Sequence, residues 1–149
     1  MKILVAEDDF SSQILMEELL LPFGQVKIAG NGIEAVDAFK NYHSAKTPFD
    51  IVFLDIMMPR MDGYDTLAQI RKIEKDALIP FEDRVVVVML TTLHSQDSIT
   101  KSVYEGCDWY IPKPIRKETL YGVLEKIAKS EENKDIFGEI KKILYNSNA

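Results

Sequence analysis

The sequence has a single cysteine, Cys107, among its 149 residues, so no disulfide can form within the chain. It lacks any uncharged apolar stretch near the ~20 residues that a membrane-spanning helix needs. The 18 lysines and arginines are outnumbered by 24 aspartates and glutamates, and the net charge of −6 disfavours binding to a nucleic-acid backbone. The first residues lack a basic segment followed by an apolar signal core. These absences predict a cytoplasmic protein that binds neither membranes nor nucleic acids directly.

Five short apolar runs alternate with segments of helical periodicity. A composition of 46% hydrophobic and 28% charged residues is that of a globular protein, and the length suits one domain. The predicted strands lie at about 3–6, 26–29, 51–55, 85–90 and 108–111. Alternation of strand and helix predicts an α/β fold, because right-handed crossovers place helices on both faces of a parallel sheet. We expect a doubly wound, flavodoxin-like sheet of order 2-1-3-4-5.

The sequence pattern indicates some helices more clearly than others. Ser11 or Ser12 is a candidate cap for the first, in which Ile14, Leu15 and the leucines that follow form the apolar set. A second and a third helix follow the turns at Gly32 and Gly63. The fourth, at about 96–104, is weaker, and the fifth ends near residue 128.

A polar joint at about 130–134 precedes a last amphipathic segment that contains Phe137 and Ile140. We therefore divide the chain into a domain at 1–129 and a C-terminal extension at 130–149, in which the joint leads into an extra helix. This helix either packs back on the body or offers its apolar stripe to a partner. Packing back is favoured, because exposed apolar stripes are uncommon in monomers.

Reactive side chains follow four of the predicted strands. Glu7 and Asp8 come after the first strand, Asp55 ends the third, Thr91 follows the fourth and Lys113 the fifth. In the order 2-1-3-4-5, the first and fourth strands flank the third, so Asp55 is central. Doubly wound sheets bind ligands at this edge.

Acids held this close need a compensating cation. Ligands that are all oxygens suit Mg²⁺, which takes one or two carboxylates together with phosphate oxygens. Asp55 would then be a carboxylate nucleophile of the kind that forms an aspartyl phosphate. Lys113 would neutralise charge on the phosphoryl group, and Thr91 would hydrogen-bond its oxygens.

Four motifs resemble the receiver domain of two-component response regulators, over about residues 1–128. They are ILVAEDD at 3–9, LDIMMP with MDG at 54–63, MLTT at 89–92 and YIPKPI at 110–115. The resemblance implies a phosphoprotein of a phosphorelay, of the stand-alone kind that chemotaxis regulators represent. It also implies a domain that helps to catalyse its own phosphorylation and dephosphorylation, not an enzyme acting on a separate substrate.

The resemblance also assigns the metal site. Asp55 is the phosphoacceptor, Asp8 binds Mg²⁺ directly, Glu7 binds it mainly through water, and the backbone carbonyl of Met57 is a further ligand. Glu7, Asp8 and Asp9 are consecutive, so which two of them form the metal-binding pair is a choice. We take Glu7 and Asp8 as the pair and place Asp9 at the entrance of the first helix, where its charge favours the helix N-terminus.

The remaining assignments concern the residues that respond to the phosphoryl group. Thr91 and Lys113 match the hydroxyl and the lysine that contact the phosphoryl group. Tyr110 matches the aromatic residue that turns inward when the hydroxyl moves. The bond between Lys113 and Pro114 is expected to be cis, as in the family.

The implied donor is a histidine kinase or a histidine phosphotransfer protein. No stretch is large enough for a DNA-binding or enzymatic output domain, so the expected output is a downstream protein target or a homodimer through the fourth helix, fifth strand and fifth helix. The alternative is a receiver-like interaction module that works without phosphorylation. An aspartate-nucleophile phosphatase is disfavoured by Met57, where a second acid is needed. A flavodoxin-like cofactor binder is disfavoured by the acids after the first strand.

Overall fold

The central strand, Ile51–Asp55 (β3), is apolar until its last residue and buried on both faces, as a strand inside a parallel sheet must be. The sheet is completed by four more strands: β1, Lys2–Ala6; β2, Gln25–Ala29; β4, Val86–Thr91; and β5, Trp109–Pro112. All pairs are parallel, in the order β2-β1-β3-β4-β5. The predicted doubly wound sheet is confirmed.

This computed structural model describes residues 1–92, 106–131 and 134–146. Within them five α-helices are α1, Phe10–Leu20; α2, Gly32–Ser44; α3, Gly63–Asp76; α4, Lys117–Ser130; and α5, Asp135–Asn146. Short 3-10 turns lie at Leu21–Phe23 and Phe81–Asp83. The helix predicted at 96–104 lies outside the described residues. None of the described helices combines the length and the apolar character needed to cross a membrane.

Two cores lie on opposite faces of the sheet. Alternate residues of β3 point to opposite faces, so Ile51 and Phe53 enter one core while Val52 and Leu54 enter the other. The first core is closed by α1, α4 and α5, and the second by α2 and α3. This layering leaves the carboxyl edge of the strands as the place where polar residues collect.

The first helix differs from its prediction at its N-terminus. Its cap is Asp9, whose side chain accepts from the backbone N of Ser12, so neither serine is the cap. Its buried residues are Met16 and Leu20, whereas Ile14 and Leu15 are 42% and 38% exposed. The segment is apolar on most sides, so its pattern does not identify one face.

The last helix packs back on the body, as expected. Phe137 and Ile140 are buried in the same core as Leu124 and Ile127 of α4. The hydroxyl of Tyr145 donates to Glu125, 3.3 Å away, and adds a polar contact between α5 and α4. The proposed boundary at residue 129 falls in the last turn of α4, which ends at Ser130.

Candidate functional site

The acidic residues meet because of strand register. Ala6 of β1 lies beside Leu54 of β3, so the next residues along, Glu7 and Asp55, are neighbours at the carboxyl edge. The backbone N of Glu7 donates to the oxygen of Ala29, 3.0 Å away, and continues the β1–β2 ladder by one bond. Both side chains are therefore fixed by the sheet itself.

Glu7, Asp8 and Asp55 form a cluster in which one carboxylate oxygen from each lies within 4.8 Å of the others. Glu7 and Asp55 are buried, and Asp8 is exposed. Burial raises the pKa of the Glu7 carboxyl, and the opposing contacts with Lys113 and the Asp9 N–H only partly offset that rise. The cluster can take a cation from the open side, where Asp8 lies.

Lys113 bridges the two buried acids. Its Nζ lies 2.7 Å from Glu7 Oε2 and 3.0 Å from Asp55 Oδ2. Burial disfavours the charged ammonium, but the two carboxylates outweigh it and raise the pKa of Lys113. The three clustered carboxylates and the one ammonium sum to two negative charges when all are ionised, the charge that a divalent cation neutralises.

The Asp55 carboxylate is held on both sides. Oδ1 accepts from the backbone N of Met57 at 3.2 Å, while Oδ2 faces Lys113. The loop after β3 turns tightly, since Gly63 N donates to the oxygen of Ile56 at 2.9 Å. A Cβ at Gly63 would lie 2.5 Å from the backbone oxygen of Asp55, so any larger residue at that position would displace the strand end.

The remaining predicted residues lie on β4 and β5. Thr91 is the buried last residue of β4, and its carbonyl accepts from the backbone N of Lys113. Tyr110 lies opposite Met89, two residues before Thr91, so Tyr110 and Thr91 share one face of the sheet. The Tyr110 side chain points outward and is 46% exposed. The expected cis bond between Lys113 and Pro114 is present.

Several contacts at the site were not predicted from the sequence. Gln13 Nε2 donates to the backbone oxygen of Glu7, 2.7 Å away. Asp9 caps α1 through Ser12, and these hydrogen bonds lower the pKa of Asp9. An aspartate three residues before a serine at a helix start is the available signal for the cap. No sequence pattern identifies the Gln13 contact, because it depends on a rotamer.

Among the described residues, His43 and Cys107 lie away from the acidic cluster. His43 belongs to the last turn of α2, and His94 lies outside the described residues. Cys107 is half-buried and packs against the core formed with α2 and α3. Trp109 is partly buried against the other core.

The fold and the site together define a flavodoxin-like α/β domain with an acidic cluster at the carboxyl edge of its sheet. Residues 3–125 match the family model of the response regulator receiver domain, and the chain belongs to this family.

The chain is similar both to a protein of about its own length and to part of a much longer one. The chemotaxis protein CheY of Halobacterium salinarum is 30% identical over 125 residues, which cover 84% of this chain and 93% of that protein. The probable histidine kinase 2 of Oryza sativa is 30% identical over 141 residues, which cover 88% of this chain but 13% of the kinase. The chain thus spans a small part of the histidine kinases that it matches.

Two solved structures are similar. One is the co-crystal structure of the Saccharomyces cerevisiae histidine phosphotransfer signaling protein Ypd1 and the receiver domain of its downstream response regulator Ssk1. It matches with a TM-score of 0.69 and 28% identity over 80% of this chain and 83% of that one. The other is the receiver domain of the sensor histidine kinase PA1611 from Pseudomonas aeruginosa, with a magnesium ion coordinated in the active site cleft. Its TM-score is 0.68, with 25% identity over 84% of this chain and 94% of that one.

Proposed function

We propose that this receiver domain accepts a phosphoryl group on Asp55. A carboxylate oxygen of Asp55 attacks phosphorus in line, the bond between phosphorus and the donor nitrogen breaks, and the released imidazole takes up a proton. Lys113, 3.0 Å from Asp55 Oδ2, is placed to neutralise charge on the transferring group. The observation that carries the proposal is the convergence of Glu7, Asp8 and Asp55 within 4.8 Å around this lysine.

Mg²⁺ is the cofactor that this donor set fits. Its ligands would be all oxygens: Asp8 and Asp55 directly, Glu7 mainly through water, and the backbone carbonyl of Met57. The close pairing of Glu7 with Lys113 supports its indirect role. When bound, the ion would offset negative charge on the phosphoryl oxygens. The domain would thus promote its own phosphorylation and dephosphorylation, without turnover of a separate substrate.

The output of phosphorylation would be a shift between two conformations. Thr91 would move towards the phosphoryl group and hydrogen-bond it, and Tyr110 would turn into the space that Thr91 leaves. Their position on one face of the sheet supports this coupling. Phosphorylation can shift the equilibrium only by its different interaction with the two states. The altered surface would bind a downstream protein or a second copy through β5, α4 and the helix predicted at 96–104.

The proposed donor is a phosphohistidine on a histidine kinase or phosphotransfer protein. Three exposed apolar residues that follow the acidic residues closely in the sequence support docking of a protein there: Phe10, Met57 and Ile14 are 73%, 69% and 42% exposed. The similarity to a receiver domain crystallised with a phosphotransfer protein agrees with this donor. The lone Cys107 suits the reducing cytoplasm, which is the compartment that we propose.

Phosphoramidate tests the donor chemistry, because it presents the phosphorus–nitrogen bond of phosphohistidine without a protein. With MgCl₂ it should phosphorylate the wild type, and hydroxylamine should remove the label, as it does for an acyl phosphate. The matched variants are Asp55→Asn, expected to remain unlabelled, and Asp37→Asn, an exposed aspartate on α2 expected to label like the wild type. Equal labelling of Asp55→Asn and the wild type would contradict the proposal.

A further inference from the structure

Gln13 lies on α1, outside the acidic cluster, yet its side chain contacts the backbone of that cluster. It is the fourth residue of a helix that begins at Phe10. Side chains on a helix tilt towards its N-terminus, and this tilt carries the Gln13 amide back over the first turn. There Nε2 donates to the backbone oxygen of Glu7 at 2.7 Å.

Every polar group of Glu7 has either a hydrogen-bond partner or an ion-pair partner. Its N–H donates to Ala29 at 3.0 Å, Oε1 accepts from the backbone N of Asp9 at 3.1 Å, and Oε2 pairs with Lys113 at 2.7 Å. Gln13 supplies the remaining contact, to the carbonyl oxygen. Since α1 is itself fixed by its Asp9 cap, the Gln13 amide ties the loop after β1 to a rigid element.

The contact with Gln13 acts on the peptide that leads into Asp8. A peptide group is planar, so the direction of the Glu7 carbonyl sets the direction in which the chain enters Asp8. Asp8 is exposed, and within the described residues its carboxylate has no hydrogen bond or ion pair of its own. The placement of that carboxylate beside Glu7 and Asp55 therefore depends on its backbone.

We propose that Gln13 is a positioning residue for the cation site, acting through the Glu7–Asp8 peptide. This inference rests on the proposed function, in which Asp8 is a direct ligand of Mg²⁺. Gln13 touches neither the cation nor the phosphoryl group. Its loss should weaken binding of the cation while leaving the chemical step nearly unchanged once the site is full.

The test is calorimetric titration with MgCl₂ of the wild type, Gln13→Met and Gln69→Met. Methionine keeps the length of glutamine but has no donor, and Gln69 is an exposed glutamine on α3 that serves as the matched control. Loss of a contact that orients a ligand typically costs 10- to 100-fold in metal affinity or activity, so we expect a Kd about tenfold higher for Gln13→Met and a wild-type Kd for Gln69→Met.

A second readout separates positioning from folding. The rate of phosphorylation by acetyl phosphate at saturating MgCl₂ should stay close to that of the wild type, while the MgCl₂ concentration for half-maximal rate rises with Kd. If Gln13→Met fails to fold, Gln13→Asn, whose amide is one methylene too short for the contact, takes its place. A wild-type Kd in these variants would overturn the role of Gln13 but not the proposed function. Absence of binding by the wild type would overturn the proposed function as well.

Discussion

The acids at the carboxyl edge of the sheet are held against their own repulsion. The carboxylate oxygens lie within 4.8 Å of one another, and two unit charges at that limit repel by about 1 kcal/mol in water and about 3.5 kcal/mol at an effective dielectric constant of ~20. Lys113 faces Glu7 and Asp55 and relieves part of this cost. Asp8, on the open side, adds a charge that no ion pair within the described residues offsets. The site is therefore expected to favour function at the expense of stability.

Asp8→Asn should raise the free energy of unfolding by about 1 kcal/mol in buffer without divalent cations, because it removes this uncompensated charge. The same substitution should abolish the stabilisation that MgCl₂ gives the wild type. Urea unfolding with and without MgCl₂ at a saturating concentration measures both effects. Asp37→Asn, on the exposed face of α2, is the control. A loss of stability for Asp8→Asn in cation-free buffer would contradict the account.

Cys107 offers a test of burial at a single group. Burial, and then the neighbouring Asp108 carboxylate, raise the pKa of its thiol to about 11. The thiolate fraction at pH 8 is then about 0.1%, so alkylation by iodoacetamide should be slow and should keep accelerating up to about pH 11. A rate that levels off near pH 9 would contradict this environment.

The raised pKa of the Cys107 thiol also makes the free energy of unfolding depend on pH. The unfolded chain loses the thiol proton at a lower pH than the folded one, so the contribution of Cys107 is complete below the unfolded pKa and is lost as pH rises towards about 11. Cys107→Ser should therefore flatten the decline of stability with pH over this range.

At the residue scale, the sequence predicted those residue positions that the topology of the sheet determines. Asp55 ends an apolar run, so a parallel sheet brings it to the edge where Glu7 and Lys113 also lie. Contacts that depend on side-chain rotamers, such as the one between Gln13 and Glu7, have no signature in composition or spacing. The ion pair of buried Glu74 with Arg71, 2.7 Å apart, was missed for the same reason.

At the element scale, α1 combines a structural surface with exposed apolar residues at which we propose that the donor docks. Met16 and Leu20 anchor it on the sheet, while Phe10 and Ile14, which follow the acidic residues closely in the sequence, are exposed. Periodicity located the helix but did not identify its buried face, since apolar residues occur around most of its circumference. The strands were predicted to within a residue or two, because each is a short apolar run bounded by turn residues.

The last helix should contribute to stability in proportion to what it buries. Phe137→Ala should cost about 3–5 kcal/mol, because Phe137 fills the core between α4 and the sheet. Ile136→Ala, at an exposed neighbouring position, should change the free energy of unfolding by much less. Chemical denaturation of the two variants makes the comparison. Equal, small losses would mean that α5 does not pack as described.

At the scale of the whole molecule, the acidic cluster and the C-terminal helix α5 lie at different parts of the sheet. The acidic cluster lies at the carboxyl ends of β1 and β3, whereas α5 closes the core beneath α1 and α4. The family match ends at residue 125, before α5 begins at Asp135. Phe137→Ala should therefore leave phosphorylation by acetyl phosphate intact in the fraction that remains folded, which separates the two parts experimentally.

The central claim is that Asp55 takes a phosphoryl group in a reaction that requires Mg²⁺. Intact mass after incubation with acetyl phosphate, with and without MgCl₂, tests it on the wild type and Asp55→Asn. The account predicts a gain of one phosphoryl group in the wild type with MgCl₂, and none without the cation or in Asp55→Asn. No gain in the folded wild type at saturating MgCl₂ would contradict self-catalysed phosphorylation and would favour an interaction module that works without it.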